Sequence, residues 1–258
     1  IRDRQQIGKI TAIEMSAFYK DIRDLLALQS IRYESEKYGP SNYSIYMNKD
    51  YGNVKGYTFS FTKRYDPVSK TSAFVDYTYQ VTEGNSVNSG SFYYNALSGE
   101  QEEKRIVPLA WDQRHILNTN LSIGDPRNWN VGIISKLSSG WPYTPNIPDA
   151  NYVPQPNSGR KPWQWRIDMR VHKNFKVGNL NYLFFMKIYN LLDRRNERYV
   201  FNDTGRAGYT YVYQSTQETQ GFKNHYGESG VHEWSEYQIR PHYYTSPRSI
   251  NIGFSVDF

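Results

Sequence analysis

From Ser249 to Phe258 the chain alternates without a fault. Ile250, Ile252, Phe254, Val256 and Phe258 are apolar, and Ser249, Asn251, Gly253, Ser255 and Asp257 between them are polar or small. A period of two sends successive side chains to opposite sides of a strand. This segment is therefore a strand between two different media. One such strand suits the wall of a soluble core as well as a wall between lipid and water. The rest of the chain separates the two.

The same alternation recurs over 11–22, 54–64, 71–81, 114–123, 129–137, 165–175 and 180–189. In the first of these, Ile13, Met15, Ala17 and Tyr19 stand opposite Glu14, Ser16 and Lys20. In 71–81, Ala73, Val75, Tyr77 and Tyr79 stand opposite Ser72, Asp76, Thr78 and Gln80. Each segment has about the ten residues that a tilted membrane-crossing strand needs. The connections fall into two classes. Those at Asp66-Pro67, Asp125-Pro126 and Val177-Gly178-Asn179 are tight, and those over 23–53, 82–113, 138–164 and 190–248 are long. Short and long alternate strictly, as in an outer-membrane barrel with short periplasmic turns and long outer loops. Counting back from Phe258 puts every short turn on the periplasmic side. Long loops would count against a compact soluble domain.

Composition fits this reading. Only 38% of residues are hydrophobic, and no apolar run reaches the roughly twenty residues of a membrane helix. Barrel strands escape that test because half of each faces water. Aromatics make up 16%, with 24 Tyr and 6 Trp, which suits interfacial girdles and ligand-binding loops. Cysteine is absent, so no disulfide and no Cys-ligated metal is expected. The net charge is +6, but Lys and Arg are scattered, so no nucleic-acid footprint is read. Outer-membrane lipid phosphates are the expected partners of these cations. No signal peptide precedes Ile1 and no Met opens the chain, which reads as a processed or truncated piece of a longer protein.

In 165–175, Arg166, Asp168, Arg170 and His172 share one side, opposite Ile167, Met169 and Val171. An Arg facing lipid at the midplane costs about 2–4 kcal/mol. The charged row is therefore expected to face the lumen, and the apolar row lipid.

Several segments resemble, in order, the C-terminal barrel of TonB-dependent outer-membrane receptors. They are Ala17-Phe18-Tyr19-Lys20-Asp21-Ile22-Arg23-Asp24-Leu25, Asn53-Val54-Lys55-Gly56 and Asp112-Gln113-Arg114-His115-Ile116-Leu117-Asn118. Ser139-Gly140-Trp141-Pro142-Tyr143-Thr144-Pro145, Arg166-Ile167-Asp168-Met169-Arg170 and Tyr189-Asn190-Leu191-Leu192-Asp193-Arg194-Arg195-Asn196 follow, and Ser255-Val256-Asp257-Phe258 is similar to the family's ending. The Ser139–Pro145 stretch leans toward the branch with an N-terminal carboxypeptidase-regulatory-like domain.

The resemblance implies an all-β fold, an antiparallel transmembrane β-barrel of about 22 strands with a plugged lumen. Residues 1–258 would be one C-terminal segment of it, carrying about eight strands. It implies part of a receptor or transporter in the cell outer membrane, for energised uptake of a scarce solute: siderophore, cobalamin, glycan or peptide. The plug domain and the TonB system would act through an N-terminal part outside this chain. Phe258 would signal to the barrel-assembly machinery. No catalytic residue and no cofactor is implied. The alternative is a complete eight-stranded barrel for adhesion or lipid binding.

Ligand-binding candidates are Trp141, Tyr143, Trp163 and Trp165, which flank one long loop, or which belong instead to a girdle. Arg166, Asp168, Arg170 and His172 would contact ligand or plug, or else form a charge network on the lumen wall. The last long loop carries Tyr209, Tyr211, Tyr213, His225, Tyr226, His232, Trp234 and His242. Its histidines fit no compact metal-ligand spacing, so no metal is expected. Asp112 and His115 with Ser135 or Ser138 offer the residue types of a rim hydrolase. The recurrence of Asp-Gln-Arg-His in the receptor resemblance argues against catalysis.

Overall fold

The computed structural model describes residues 1–35, 37, 39–85, 106–146, 154–211 and 240–257. Phe258, and with it the assembly signal, lies outside the described residues, as do Tyr213, His225, Tyr226, His232 and Trp234. Among the described residues, nine strands follow one another across a single sheet in chain order. They are β1 (Arg2–Ile7), β2 (Thr11–Ser35), β3 (Gly39–Asp66), β4 (Thr71–Gly84), β6 (His115–Asp125), β7 (Trp129–Ser138), β10 (Gln164–Val177), β11 (Leu180–Tyr189) and β12 (Ser249–Asp257). The short β5 (Val107–Pro108) adds to β4 off this path, and β8 (Pro142–Tyr143) pairs β9 (Gly159–Arg160) in a separate ribbon. Every pairing is antiparallel.

All eight expected strands are present. Two features differ from expectation. β1 was not expected, because Arg2-Asp3-Arg4-Gln5-Gln6 is polar on both sides and shows no period. Its place comes from pairing with β2, Arg2 opposite Ser16 through Ile7 opposite Thr11. The connection over 23–53 was read as a long loop and is instead mostly strand. β2 and β3 pair beyond Ile22 as far as Ser35 opposite Gly39. The register slips between Ile22 and Leu25 and again before Leu26, where Asp24 takes φ 59°. A slip moves later side chains to the other face, so the alternation cannot be read through it.

Register carries the period-two pattern across the whole sheet. Met169 lies opposite Ile133 and Ile188, Ile133 opposite Leu121, and Met186 opposite Val171 and Ile252. Phe59 lies between Met15 and Tyr77, and Phe61 between Ile13 and Val75. One face is thus apolar from β2 to β12. On the other face Arg166 meets Lys136, Arg170 meets Lys187, and Ser60 meets both Glu14 and Asp76. The apolar face is bare: Ile252 is 67% exposed and Phe254 58%. A water-soluble fold does not leave so large a contiguous apolar surface open.

Aromatic rows bound this face at both ends. At the loop end, ring centroids step from Tyr57 to Tyr79 (5.3 Å), Tyr79 to His115 (5.1 Å) and His115 to Trp163 (5.5 Å). At the turn end, Phe175 stacks on Tyr182 at 5.3 Å, and Tyr182 meets Phe254 at 5.6 Å. Trp165 and Phe175 stand ten positions apart on the apolar side of β10. At a rise of about 3.4 Å per residue and a tilt of about 40°, that is roughly 26 Å along the membrane normal. The apolar band of an outer-membrane barrel is about 25 Å tall.

Candidate functional site

The charged row of β10 is part network and part open. Arg166 Nε donates to Asp168 Oδ1 at 2.8 Å, and the Asn190 N–H donates to the same oxygen at 2.9 Å. The Arg166 guanidinium also sits 5.9 Å from the Tyr189 ring centroid. Asp168 therefore ties the end of β11 to β10. His172 Nε2 is 3.3 Å from the Pro126 carbonyl, at the turn end. Arg170 is exposed and has no side-chain partner among the described residues. Lys136, Arg166, Arg170 and Lys187 give this stretch a positive field against the single carboxylate of Asp168.

The loop end is built around a buried carboxylate. Asp112 is fully enclosed. It accepts from the Thr82 N–H (2.8 Å), from Arg114 Nε (2.7 Å) and from Arg160, whose other nitrogen donates to the Asp112 carbonyl at 2.6 Å. One side chain thus joins the top of β4, the approach to β6, and β9. Gln113 Nε2 donates to the Ser139 carbonyl at 2.9 Å, and the His115 N–H to Ser139 Oγ at 3.1 Å. The Asp-Gln-Arg-His and Ser-Gly-Trp-Pro-Tyr-Thr-Pro segments interlock through these bonds. Asp112 is engaged by two arginines, and His115 Nδ1 lies 2.8 Å from the Tyr77 hydroxyl, so among the described residues these two do not pair with each other.

Two asparagines do similar work after β11. Asn196 Oδ1 accepts the Trp165 N–H and its Nδ2 donates to the Trp165 carbonyl, both at 2.9 Å, so its amide replaces a strand neighbour. Asn190 takes φ 53° and donates to the carbonyls of Arg194 and Ser246, both at 3.1 Å. Glu197 accepts from Arg206 and from the Ala207 N–H at 2.6 Å. No signal in a single sequence marks Asp112, Asn190 or Asn196 for these roles, because their partners are distant in the chain.

The four candidate aromatics take three different positions. Trp165 lies on the apolar face, opposite Leu137, with Nε1 donating to Ser135 Oγ at 3.0 Å. Trp163 stacks on His115 in the same aromatic row. The Tyr143 ring is enclosed by Gly159 and Gly205, where any side chain would collide with it. Burial, and then the charge of Asp203, raises the Tyr143 pKa. Trp141 is exposed, and its carbonyl accepts the Lys161 N–H at 3.0 Å. Among the described residues no ring contact joins Trp141 or Tyr143 to Trp163 or Trp165.

Gly140 approaches the Lys161 carbonyl so closely that a Cβ would overlap it. Backbone on both sides cannot yield cheaply, so Gly140→Ala is expected to destabilise the rim by at least ~2 kcal/mol. Gly132→Ala, which meets nothing nearer than 3.9 Å, is expected to stay within ~1 kcal/mol. Limited proteolysis of the rim segments distinguishes the two. Equal protease resistance of both variants would refute the close approach.

No family model matches the sequence, and no curated protein matches it. Among solved structures, the outer membrane transporter YddB from Escherichia coli is similar with a TM-score of 0.57 at 15% identity, over 77% of this chain and 29% of that one. The ferric-catecholate import receptor Fiu from E. coli K12 is similar with a TM-score of 0.45 at 15% identity, over 78% of this chain and 24% of that one. At that score the second likeness carries no weight. The chain spans less than a third of either protein. The likeness to YddB shows the fold: the sheet has the antiparallel architecture of a section of an outer-membrane β-barrel.

Proposed function

We propose that this chain is a section of the wall of a TonB-dependent outer-membrane receptor, and that the parent protein takes up a scarce solute against its gradient. The observation that carries the reading is the apolar face bounded by two aromatic rows, with a charged face behind it. That arrangement fits lipid on one side and a polar lumen on the other. The ordered receptor-like motifs and the likeness to YddB support it. So do the edges of the sheet. Among the described residues β1 and β12 do not pair with each other. An open sheet edge is not tolerated in lipid, and the proposed larger barrel would cover these edges with further strands. The same edges take support from a closed eight-stranded barrel for adhesion or lipid binding.

In this reading Lys136, Arg166, Arg170 and Lys187 face the lumen, where they meet solute or a plug domain. Energy would reach the solute through that plug and the TonB system. A siderophore, a cobalamin, a glycan and a peptide remain the solute classes. Cells with and without the parent gene test it, each offered a ferric siderophore, cobalamin, an oligosaccharide and an oligopeptide, with and without a protonophore. One solute is expected to accumulate only with the gene present and the proton-motive force intact. Accumulation that survives the protonophore, or none for any solute, would overturn the proposal.

A further inference from the structure

Lys173 interrupts the apolar face at its turn end. In register it stands between Trp129 of β7 and Phe184 of β11, and Phe184 stands opposite Phe254 of β12. Phe175 follows two positions on and shares its side. One exposed ammonium thus stands among aromatic positions, on the face that carries Met169, Val171 and Ile252. A lysine in such a place lays its stem along the apolar surface and carries its charge toward water. Here the charge is carried toward the turn after β6, where Lys173 Nζ donates to Asn128 Oδ1.

That turn is clamped onto β10. The Asn174 N–H donates to the Asn128 carbonyl at 2.6 Å, and Asn174 Nδ2 donates to the Arg127 carbonyl at 3.0 Å. His172 Nε2 lies 3.3 Å from the Pro126 carbonyl. The clamp brings Arg127 to the same end of the same strand pair as Lys173. The Arg127 side chain is exposed and has no partner among the described residues, and neither cation forms an ion pair among them. One carboxylate shares the rung. Asp125 stands opposite Trp129 on its other side, two strand spacings or about 9–10 Å from Lys173, and its Oδ1 accepts the Arg127 N–H at 3.0 Å. By register Asp257, opposite Asn181, belongs to the polar side of the sheet.

We propose that Lys173 and Arg127 seat the phosphodiester of an anionic phospholipid in the leaflet at the turn end, with Trp129, Phe175 and Phe254 against its acyl chains. After its bond to Asn128 the ammonium keeps two of its three donors, and the guanidinium side chain keeps all five. Phosphate oxygens accept from both, and a guanidinium fork matches two of them at once. A zwitterionic headgroup brings a cation of its own against these two, and an anionic headgroup does not. The rings stand where acyl chains begin below a headgroup. The inference rests on the reading that the apolar face meets lipid, and not on energised uptake.

The test takes the parent protein in detergent micelles and reads bound lipid by native mass spectrometry, in titrations with dioleoyl phosphatidylglycerol and with dioleoyl phosphatidylcholine. Phosphatidylglycerol is expected to bind more tightly. A basic side chain near anionic lipid contributes about fivefold in affinity, so Lys173→Gln and Arg127→Gln should each weaken phosphatidylglycerol by about that factor and leave phosphatidylcholine unchanged. Lys173→Arg should keep the preference, and Arg195→Gln at the loop end should not alter it. Glutamine at 173 still offers a donor to Asn128, so the turn stays clamped. Equal binding of the two lipids, or a preference that survives replacement of Lys173 and Arg127 together, would overturn the seat and leave the lipid-facing reading standing. Displacement of phosphatidylglycerol by inorganic phosphate would make the ligand a soluble anion and overturn the seat as well. Protein that binds neither lipid and stays dispersed without detergent would overturn both.

Discussion

Asp112→Asn is expected to loosen the loop end of the sheet by ~3 kcal/mol, seen as roughly 100-fold faster hydrogen exchange at the Thr82 amide. The carboxylate is fully enclosed and serves Thr82, Arg114 and Arg160 together. Asn has nearly the same shape but keeps only one acceptor oxygen. Its amide group then points donors at a guanidinium that also carries only donors. Removing one partner of a buried ion pair costs about 3–5 kcal/mol. The lower end applies because the Arg114 and Arg160 side chains stay 30% and 32% exposed, so water solvates part of what is lost. Arg114→Gln and Arg160→Gln should each cost less, since each leaves the carboxylate one arginine and the Thr82 amide. Exchange at Thr82 unchanged in Asp112→Asn would mean that the clamp contributes nothing to the rim.

Met169→Arg is expected to destabilise the folded protein by ~2–4 kcal/mol, while Arg170→Met stays within ~1 kcal/mol. The two positions are neighbours on β10 and differ in little but the face they point from. Met169 lies near the middle of the apolar side, between Ile133 and Ile188 in register, and midway between the Trp165 and Phe175 rows. A guanidinium there would sit near the bilayer midplane. Arg170 looks out from the polar side, next to Lys187, and relieving one of several like charges costs little. Urea titration of both variants in the same detergent or bilayer measures the asymmetry. Equal stability of the two, or a larger loss in Arg170→Met, would show that the apolar face does not meet lipid.

The sheet was legible in the sequence wherever a strand alternates apolar and polar residues. Eight strands and the polarity of their faces follow from a period of two. Where a strand carries polar residues on both sides, the signal vanishes. β1 carries Asp3 and Gln5 on the side that holds Ile13 and Met15 in β2, so only pairing reveals it. Beyond Ile22 the β2–β3 hairpin slips register at Asp24 and looks like a loop. The candidate site was less legible. Parity correctly put Arg166, Asp168, Arg170 and His172 on one face. It also put Trp165 on the opposite, apolar face, although its position beside a long loop had suggested a ligand contact. The enclosure of Tyr143 by Gly159 and Gly205 left no trace in the residues around it.

By itself the sequence determined which side of each strand is apolar, because side-chain alternation is local geometry and needs no partner. The tertiary structure alone decided which loop residues meet. Asp112 finds Arg160 across 48 positions, and Asn196 finds Trp165 across 31. Those contacts depend on the path of the chain over the rim, where no repeating period constrains the residues and only satisfaction of buried polar groups selects the partners.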